Sequence, residues 1–179
     1  QELRGAELVQ RGAITLHSAM RPAGFTFNPA RQLVAWAEKT SPSWVYLASL
    51  TQPDRHIELP TSVPGMVRFR FSDDGNHLAA CALEFDSPRV WNVESGRVVA
   101  SIDLKMDAGG FAANGSAWVV SVPRDKDHEI RFYDLFHPDR PPKFVRGNDF
   151  CDHMAVSPDG GLVATSTGGG LVRLFNPAK

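Results

Sequence analysis

Residues 66–104, MVRFRFSDDGNHLAACALEFDSPRVWNVESGRVVASIDL, decide the fold because they predict four short strands with a turn in each gap. Apolar residues alternate with arginines over residues 67–71, which is the period of a half-buried strand. The following SDDG, residues 72–75, supplies the polar side chains and the glycine that a tight turn favours. Three further strands are expected at Leu78–Leu83, Arg89–Val93 and Val98–Leu104.

The composition is that of one globular domain without a strong charge bias. The 179 residues include 19 basic and 20 acidic side chains, a balance that does not favour binding to nucleic acid or to an anionic membrane. No apolar run approaches the roughly 20 residues that a membrane helix needs. Cys81 and Cys151 are too few for a disulfide framework, and two reduced cysteines favour a cytoplasmic location.

The same unit recurs along the chain. Each copy has an apolar approach, a turn rich in Asn, Asp, Pro or Gly, and a second apolar strand. An aromatic residue follows at Trp91, Tyr133 and Phe175, at intervals of 42 residues, and Tyr46 is predicted to fill this position in the first copy. The four turn-bearing segments are FTFNPARQLVAWA (25–37), FRFSDDGNHLAACA (69–82), GFAANGSAWVVSV (110–122) and MAVSPDGGLVATST (154–167).

This period predicts an all-β chain built as a β-propeller of four-stranded antiparallel blades. A sandwich does not need a repeat near 42 residues, whereas a blade of four strands does. The predicted segments are an N-terminal outer strand within 1–19 that closes the last blade, followed by blades at 20–62, 63–106, 107–147 and 148–179, the last with three strands.

Two of these segments, FSDDGNHLAACA with VWNVESGRVVASI and VSPDGGLVATSTGGGLVRLFN, resemble blades of the WD-repeat β-propeller family. In that family a Ser-Pro-Asp-Gly-like turn joins the first two strands and a Trp-Asp-like pair ends the third. Residues 157–160 hold the place of the turn, and Trp91-Asn92 and Tyr133-Asp134 hold the place of the pair. The family's Gly-His pair is missing from all four copies, so its buried Asp–His–Ser–Trp hydrogen-bond network is not expected to be intact.

WD-repeat propellers usually have seven or eight blades, so a chain with four predicted blades has two possible arrangements. The chain either closes as a small ring or forms half of a larger one. Because the chain begins at Gln1 within a repeat rather than at an initiator Met, we expect completion by another copy or another segment of a longer protein.

No stretch of the sequence predicts an active site, a metal site or a cofactor site. Cys151-Asp152-His153 places a thiol, a carboxylate and an imidazole together, but no second ligand pair or orienting partner accompanies it. Asp125–Glu129 alternates oxygen donors yet lacks the central glycine of a calcium loop. Gly168-Gly169-Gly170 precedes a strand rather than the helix of a phosphate loop, which favours a turn.

The resemblance therefore implies a non-catalytic scaffold or sensor that binds a protein or peptide on one face of the propeller. Arg68 and Arg70 on an innermost strand could contact an acidic ligand or form ion pairs between blades. Alternatives are the propeller domain of a hydrolase or lyase and a periplasmic propeller resembling translocation proteins. The predicted binding residues combine mixed charge with apolar anchors: Arg68, Arg70, Glu84, Phe85, Asp86, Arg124, Lys126, Phe150, Asp152 and His153.

Overall fold

The computed structural model describes residues 22–38, 44–59, 67–82, 88–102, 106, 108–112, 115–124, 127–147, 151–157, 159–167 and 169–176. Over these residues the chain forms fifteen β-strands, all paired in antiparallel fashion, and no α-helix. The predicted all-β class is confirmed. The outer strand predicted within residues 1–19 lies outside the described part of the chain. Among the described residues no helix has the length and apolar character to cross a membrane.

The strands form four sheets in which the spatial order follows the chain order. The first sheet contains β1 (Pro22–Asn28), β2 (Leu33–Glu38), β3 (Val45–Ser49) and β4 (Gln52–Leu59). The second contains β5 (Val67–Phe71), β6 (His77–Ala82), β7 (Arg89–Asn92) and β8 (Val98–Ser101). The third contains β9 (Ala108–Phe111), β10 (Ala117–Arg124), β11 (Asp127–Asp134) and β12 (Lys143–Gly147). The fourth contains β13 (His153–Val156), β14 (Val163–Ser166) and β15 (Val172–Phe175).

The sheets pack on one another in chain order through three apolar clusters. The first cluster joins residues such as Leu47 of the first sheet to Trp91 of the second. The second joins Val90 to Trp118 of the third sheet, and the last joins Val119 to Val163 of the fourth. None of these clusters joins the first sheet to the fourth. Strand β1 also contacts β5, and β9 contacts β13, so first strands of neighbouring sheets lie side by side.

Each sheet has two faces, which we name by the neighbour that each one contacts. The rear face is directed toward the preceding sheet and the front face toward the following one. In the second sheet Phe71, Leu78 and Trp91 lie side by side on the rear face. Ala79 and Val90 lie side by side on the front face. The alternation of the two sets along each strand is the period of two that the sequence predicts.

The strand pairing shows that the prediction for Tyr46 was wrong. Ala48, not Tyr46, pairs with Val34, and this pair occupies the row that Leu78 and Trp91 occupy in the second sheet. Tyr46 lies one row further along the same face. Residues two apart on a strand share a face, so the alternating pattern cannot distinguish these two positions; only the pairing between strands does.

Candidate interaction surfaces

The ten predicted binding residues have different surroundings, and part of the set lies outside the described residues. Arg124 is the last residue of β10, Asp152 and His153 are exposed at the start of β13, and Arg68 and Arg70 lie on β5. The predicted binding residues outside the described part are Glu84, Phe85, Asp86, Lys126 and Phe150.

Arg68 and Arg70 lie on the front face of the second sheet, because they alternate with residues of the rear face along β5. Both residues are exposed. The Nη1 atom of Arg70 lies 3.8 Å from the position that a Cβ atom would take on Gly110, in the first strand of the third sheet. Arg70 therefore spans the junction between the second and third sheets, close to their first strands.

Cys151, Asp152 and His153 do not converge on one site. Cys151 is buried, and its thiol donates a hydrogen bond to the backbone oxygen of His153 at 3.3 Å. The side chains of Asp152 and His153 are exposed. Within the described residues no group of three or more His, Cys, Asp or Glu side chains is arranged to hold a metal ion.

The β5–β6 turn is built on a hydrogen-bond network centred on Ser72. Its Oγ donates to Asp74 Oδ1 at 2.6 Å and accepts from the backbone N–H of His77 at 2.9 Å. Asp74 also accepts from Asn76, through the backbone at 3.0 Å and the side chain at 2.6 Å. Burial raises the pKa of Asp74, but these hydrogen bonds outweigh it and hold the pKa below its ordinary value. Gly75 takes φ +70°, as the turn prediction requires.

The β13–β14 turn repeats the same network on the surface. Ser157 Oγ donates to Asp159 Oδ1 at 2.6 Å and accepts from the backbone N–H of Leu162 at 2.8 Å. The Ser-x-Asp-Gly signal therefore gives the same local geometry in two sheets.

The β5–β6 turn contacts the corresponding turns of the first and third sheets along one rim of the molecule. Asn28, at the end of β1, donates from Nδ2 to the backbone oxygen of Ser72 at 3.2 Å. Gly115, in the β9–β10 turn at φ +67°, approaches Asp74 so closely that an added Cβ would lie 2.6 Å from Oδ1. The first three sheets are thus joined by turn-to-turn contacts as well as by their apolar faces.

His77 lies buried beside this rim, and its titration gives a testable pH dependence. Burial lowers the pKa of His77 below its ordinary value, and the negative charge of Asp74 only partly offsets that effect. An unfolded chain binds a proton at the ordinary histidine pKa of about 6.5. As the pH falls below that value, the unfolded state gains the proton before the folded state does, so stability is lost.

We therefore expect the free energy of unfolding to fall between pH 8 and pH 5, with part of that fall due to His77. Urea titrations of the wild type and His77→Gln at both pH values measure this contribution. The variant should lose less stability over the interval, because glutamine does not titrate there, even if it is less stable at pH 8. An equal loss in both proteins would contradict the assignment.

The rear face of the first sheet carries a group of aromatic side chains. The rings of Trp36 and Tyr46 stack with centroids 5.4 Å apart, and His56 meets both rings edge-on. The Nε2 atom of His56 lies 3.7 Å from Oε1 of Glu58. Phe25 pairs with Trp36 across the strands and is 75% exposed. Trp36 itself is only 5% exposed, so the apolar surface that is open to a partner lies on β1.

The front face of the fourth sheet is also apolar and exposed. Leu174 is 68% exposed and Val172 is 65% exposed. Ala164 pairs with both Ala155 and Leu174, so these three side chains lie side by side on that face. The described part of the molecule thus ends in an apolar surface at each end of its stack of sheets.

An arginine recurs with the same period as the aromatic residues. Arg89, Arg131 and Arg173 are 42 residues apart, and each precedes its aromatic residue by two positions on the rear face. Arg131 donates from Nη2 and Nε to the buried Glu129 Oε2 at 2.9 and 3.1 Å. The sequence interpretation missed these arginines, although the repeat interval alone could have found them.

Comparison with known proteins gives no family for the chain: no protein-family model matches it, and no curated protein matches it. The chemistry of the rear face of the first sheet, of the front face of the fourth sheet and of the contacts around the β5–β6 turn therefore follows from the residues that form them.

Proposed function

We propose that this chain is a non-catalytic protein-interaction module, a divergent WD-repeat-like propeller that acts as a scaffold or sensor. The single observation that carries the proposal is the exposure of Phe25 and Phe27 on the rear face of the first sheet. Phe27 is 47% exposed there, whereas Phe71, at the same position in the second sheet, is only 8% exposed because the first sheet covers it. Exposed apolar surface of this kind marks protein interfaces in soluble proteins.

The framework behind this face suits such a role. Antiparallel sheets joined by three apolar clusters hold the face with little freedom to rearrange, which lowers the entropy that binding costs. The repeated Ser–Asp turn and the repeated aromatic residues support the resemblance to WD-repeat blades. Asp152 and His153, at the start of β13, are exposed on the fourth sheet, at the other end of the stack, and are not part of this face.

Site-specific photo-crosslinking tests the proposal. With p-benzoylphenylalanine in place of Phe25, irradiation in cells that make the protein should give one reproducible protein adduct, identified by mass spectrometry. The matched control carries the same residue at Phe136, which is 63% exposed in the loop between β11 and β12 and lies on neither terminal face. The same background adducts from both positions, with no species specific to position 25, would refute the proposed function.

A further inference from the structure

The three internal interfaces all join the same two kinds of face. On the front side of each sheet, three residues paired side by side across the first three strands form a row. These rows are Thr26–Ala35–Leu47 in the first sheet, Arg70–Ala79–Val90 in the second and Gly110–Val119–Phe132 in the third. The central position of each row is small, alanine or valine, and the rear face that packs on it carries a bulky residue. The bulky rear-face residues are Trp91, Trp118 and Phe175.

The fourth sheet has a front row of the same kind that no described sheet covers. Ala164 occupies the position of Ala35, and Leu174 occupies the position of Leu47. Leu47 is 2% exposed and Val90, at the same position in the second sheet, is fully buried, whereas Leu174 is 68% exposed. The residues of an inter-sheet contact are therefore present in the fourth sheet, and the contact itself is not made there.

The first sheet has the complementary rear face, also uncovered at its first strand. Phe25 and Phe27 project from β1 where Phe69 and Phe71 project from β5. Trp36 is already buried within the chain, at 5% exposed, so this face offers a partner the two phenylalanines of β1. One chain thus exposes an apolar front face on its fourth sheet and an apolar strand on the rear face of its first sheet, the two kinds of face that its internal interfaces join.

We propose that the front face of the fourth sheet packs on the rear face of the first sheet of a second copy of this chain. This inference rests on the proposed interaction function and names the partner of the exposed faces. The contact is head-to-tail, so two copies related by a twofold axis make it twice and close into a ring of eight sheets. Eight sheets is the upper end of the usual range for propellers, which favours two copies over a larger closed assembly of the same kind.

The charge on the two faces is compatible with this contact. The described front face of the fourth sheet carries one titratable side chain, the exposed His153, at its edge. On the rear face of the first sheet, His56 and Glu58 lie close to each other on the edge strand β4, away from Phe25 and Phe27 on β1. The centre of the contact would therefore bury alanine, leucine, valine and aromatic surface, and no isolated charge.

Sedimentation velocity of two charge variants and their mixture tests the head-to-tail arrangement. Leu174→Glu damages only the front face of the fourth sheet, and Phe25→Glu damages only the rear face of the first. Each variant alone should weaken self-association by about 100-fold or more, because every contact would bury one unpaired carboxylate. The mixture should recover part of the association, since one of its two contacts joins the intact first sheet of one variant to the intact fourth sheet of the other.

The control is Phe136→Glu, which adds the same charge at a similarly exposed apolar residue away from both faces and should sediment as the wild type. Circular dichroism and unfolding midpoints establish that all variants fold. A wild type that sediments as a single chain at every concentration would overturn the inference. Failure of the mixture to recover association would also overturn it, because that result would indicate that like sheets pair face to face.

These results are separable from the test of the proposed function. A monomeric wild type with a foreign protein cross-linked at position 25 would retain the interaction function and refute the second copy as the partner. Loss of the position-specific adduct together with monomeric behaviour would refute both.

Discussion

Replacement of Trp91 by alanine is expected to lower the free energy of unfolding by about 3–5 kcal/mol. Trp91 is fully buried between the first and second sheets, against residues that include Ala35, Val45 and Leu78. Its indole Nε1 finds no hydrogen-bond partner in the described structure. The loss therefore comes from apolar contact and from the cavity that the indole leaves, and urea-induced unfolding followed by circular dichroism measures it.

Two variants bracket this expectation. Trp91→Phe keeps an aromatic ring in the cluster and removes the unsatisfied N–H group, so it should cost much less than the alanine change. Phe136→Ala removes an exposed ring of similar size and should change stability by no more than about 0.5 kcal/mol. If Trp91→Ala lowers the free energy of unfolding no more than Phe136→Ala does, the described packing of the first sheet on the second is contradicted.

Replacement of Gly115 by alanine is also expected to lower the free energy of unfolding substantially. Two costs combine at this position. An alanine at φ +67° is strained by about 1–2 kcal/mol, and its Cβ would lie 2.6 Å from the Asp74 carboxylate. Asp74 is held by hydrogen bonds from Ser72 and Asn76 in a partly buried turn. Moving Asp74 weakens these hydrogen bonds and costs about 1–3 kcal/mol of stability in addition to the backbone strain.

Gly170→Ala separates the two costs. Gly170 has φ +80°, and nothing lies within 4 Å of the position that its Cβ would take. This variant should show only the backbone strain, so the difference between the two measured free energies reports the contact between the β9–β10 and β5–β6 turns. Equal losses at the two glycines would show that the turns do not touch.

The sequence predicts the sheets well because each signal is local. The turn at residues 72–75 and the alternation before it specify a hairpin wherever they occur, and the interval of 42 residues relates one copy to the next. The position of Tyr46 was wrong for the opposite reason. Tyr46 and Ala48 share a face, so only the pairing of Ala48 with Val34, a contact between strands, identifies the aromatic row.

The candidate surfaces were harder to predict than the fold. Alternation shows that Phe25 and Phe27 share one face and that Leu174 lies on a face of β15, but it does not show which neighbour covers each face. Burial at Leu47 and exposure at Leu174 come from the order in which the sheets pack, which no local pattern contains. Many of the loop residues chosen for binding, such as Phe85 and Phe150, lie outside the described residues and stay predictions.

The most direct test of the stack of sheets and its two open faces is hydroxyl-radical footprinting of the unmodified chain over a range of concentrations. In dilute solution Phe25 and Leu174 should be oxidised readily, while Trp91 and Trp118 stay protected because they lie between sheets. At high concentration Phe25 and Leu174 should become protected together, with Phe136 unchanged. Protection of Phe25 and Leu174 that is already complete in dilute solution would mean that the chain closes on itself, and would contradict the account.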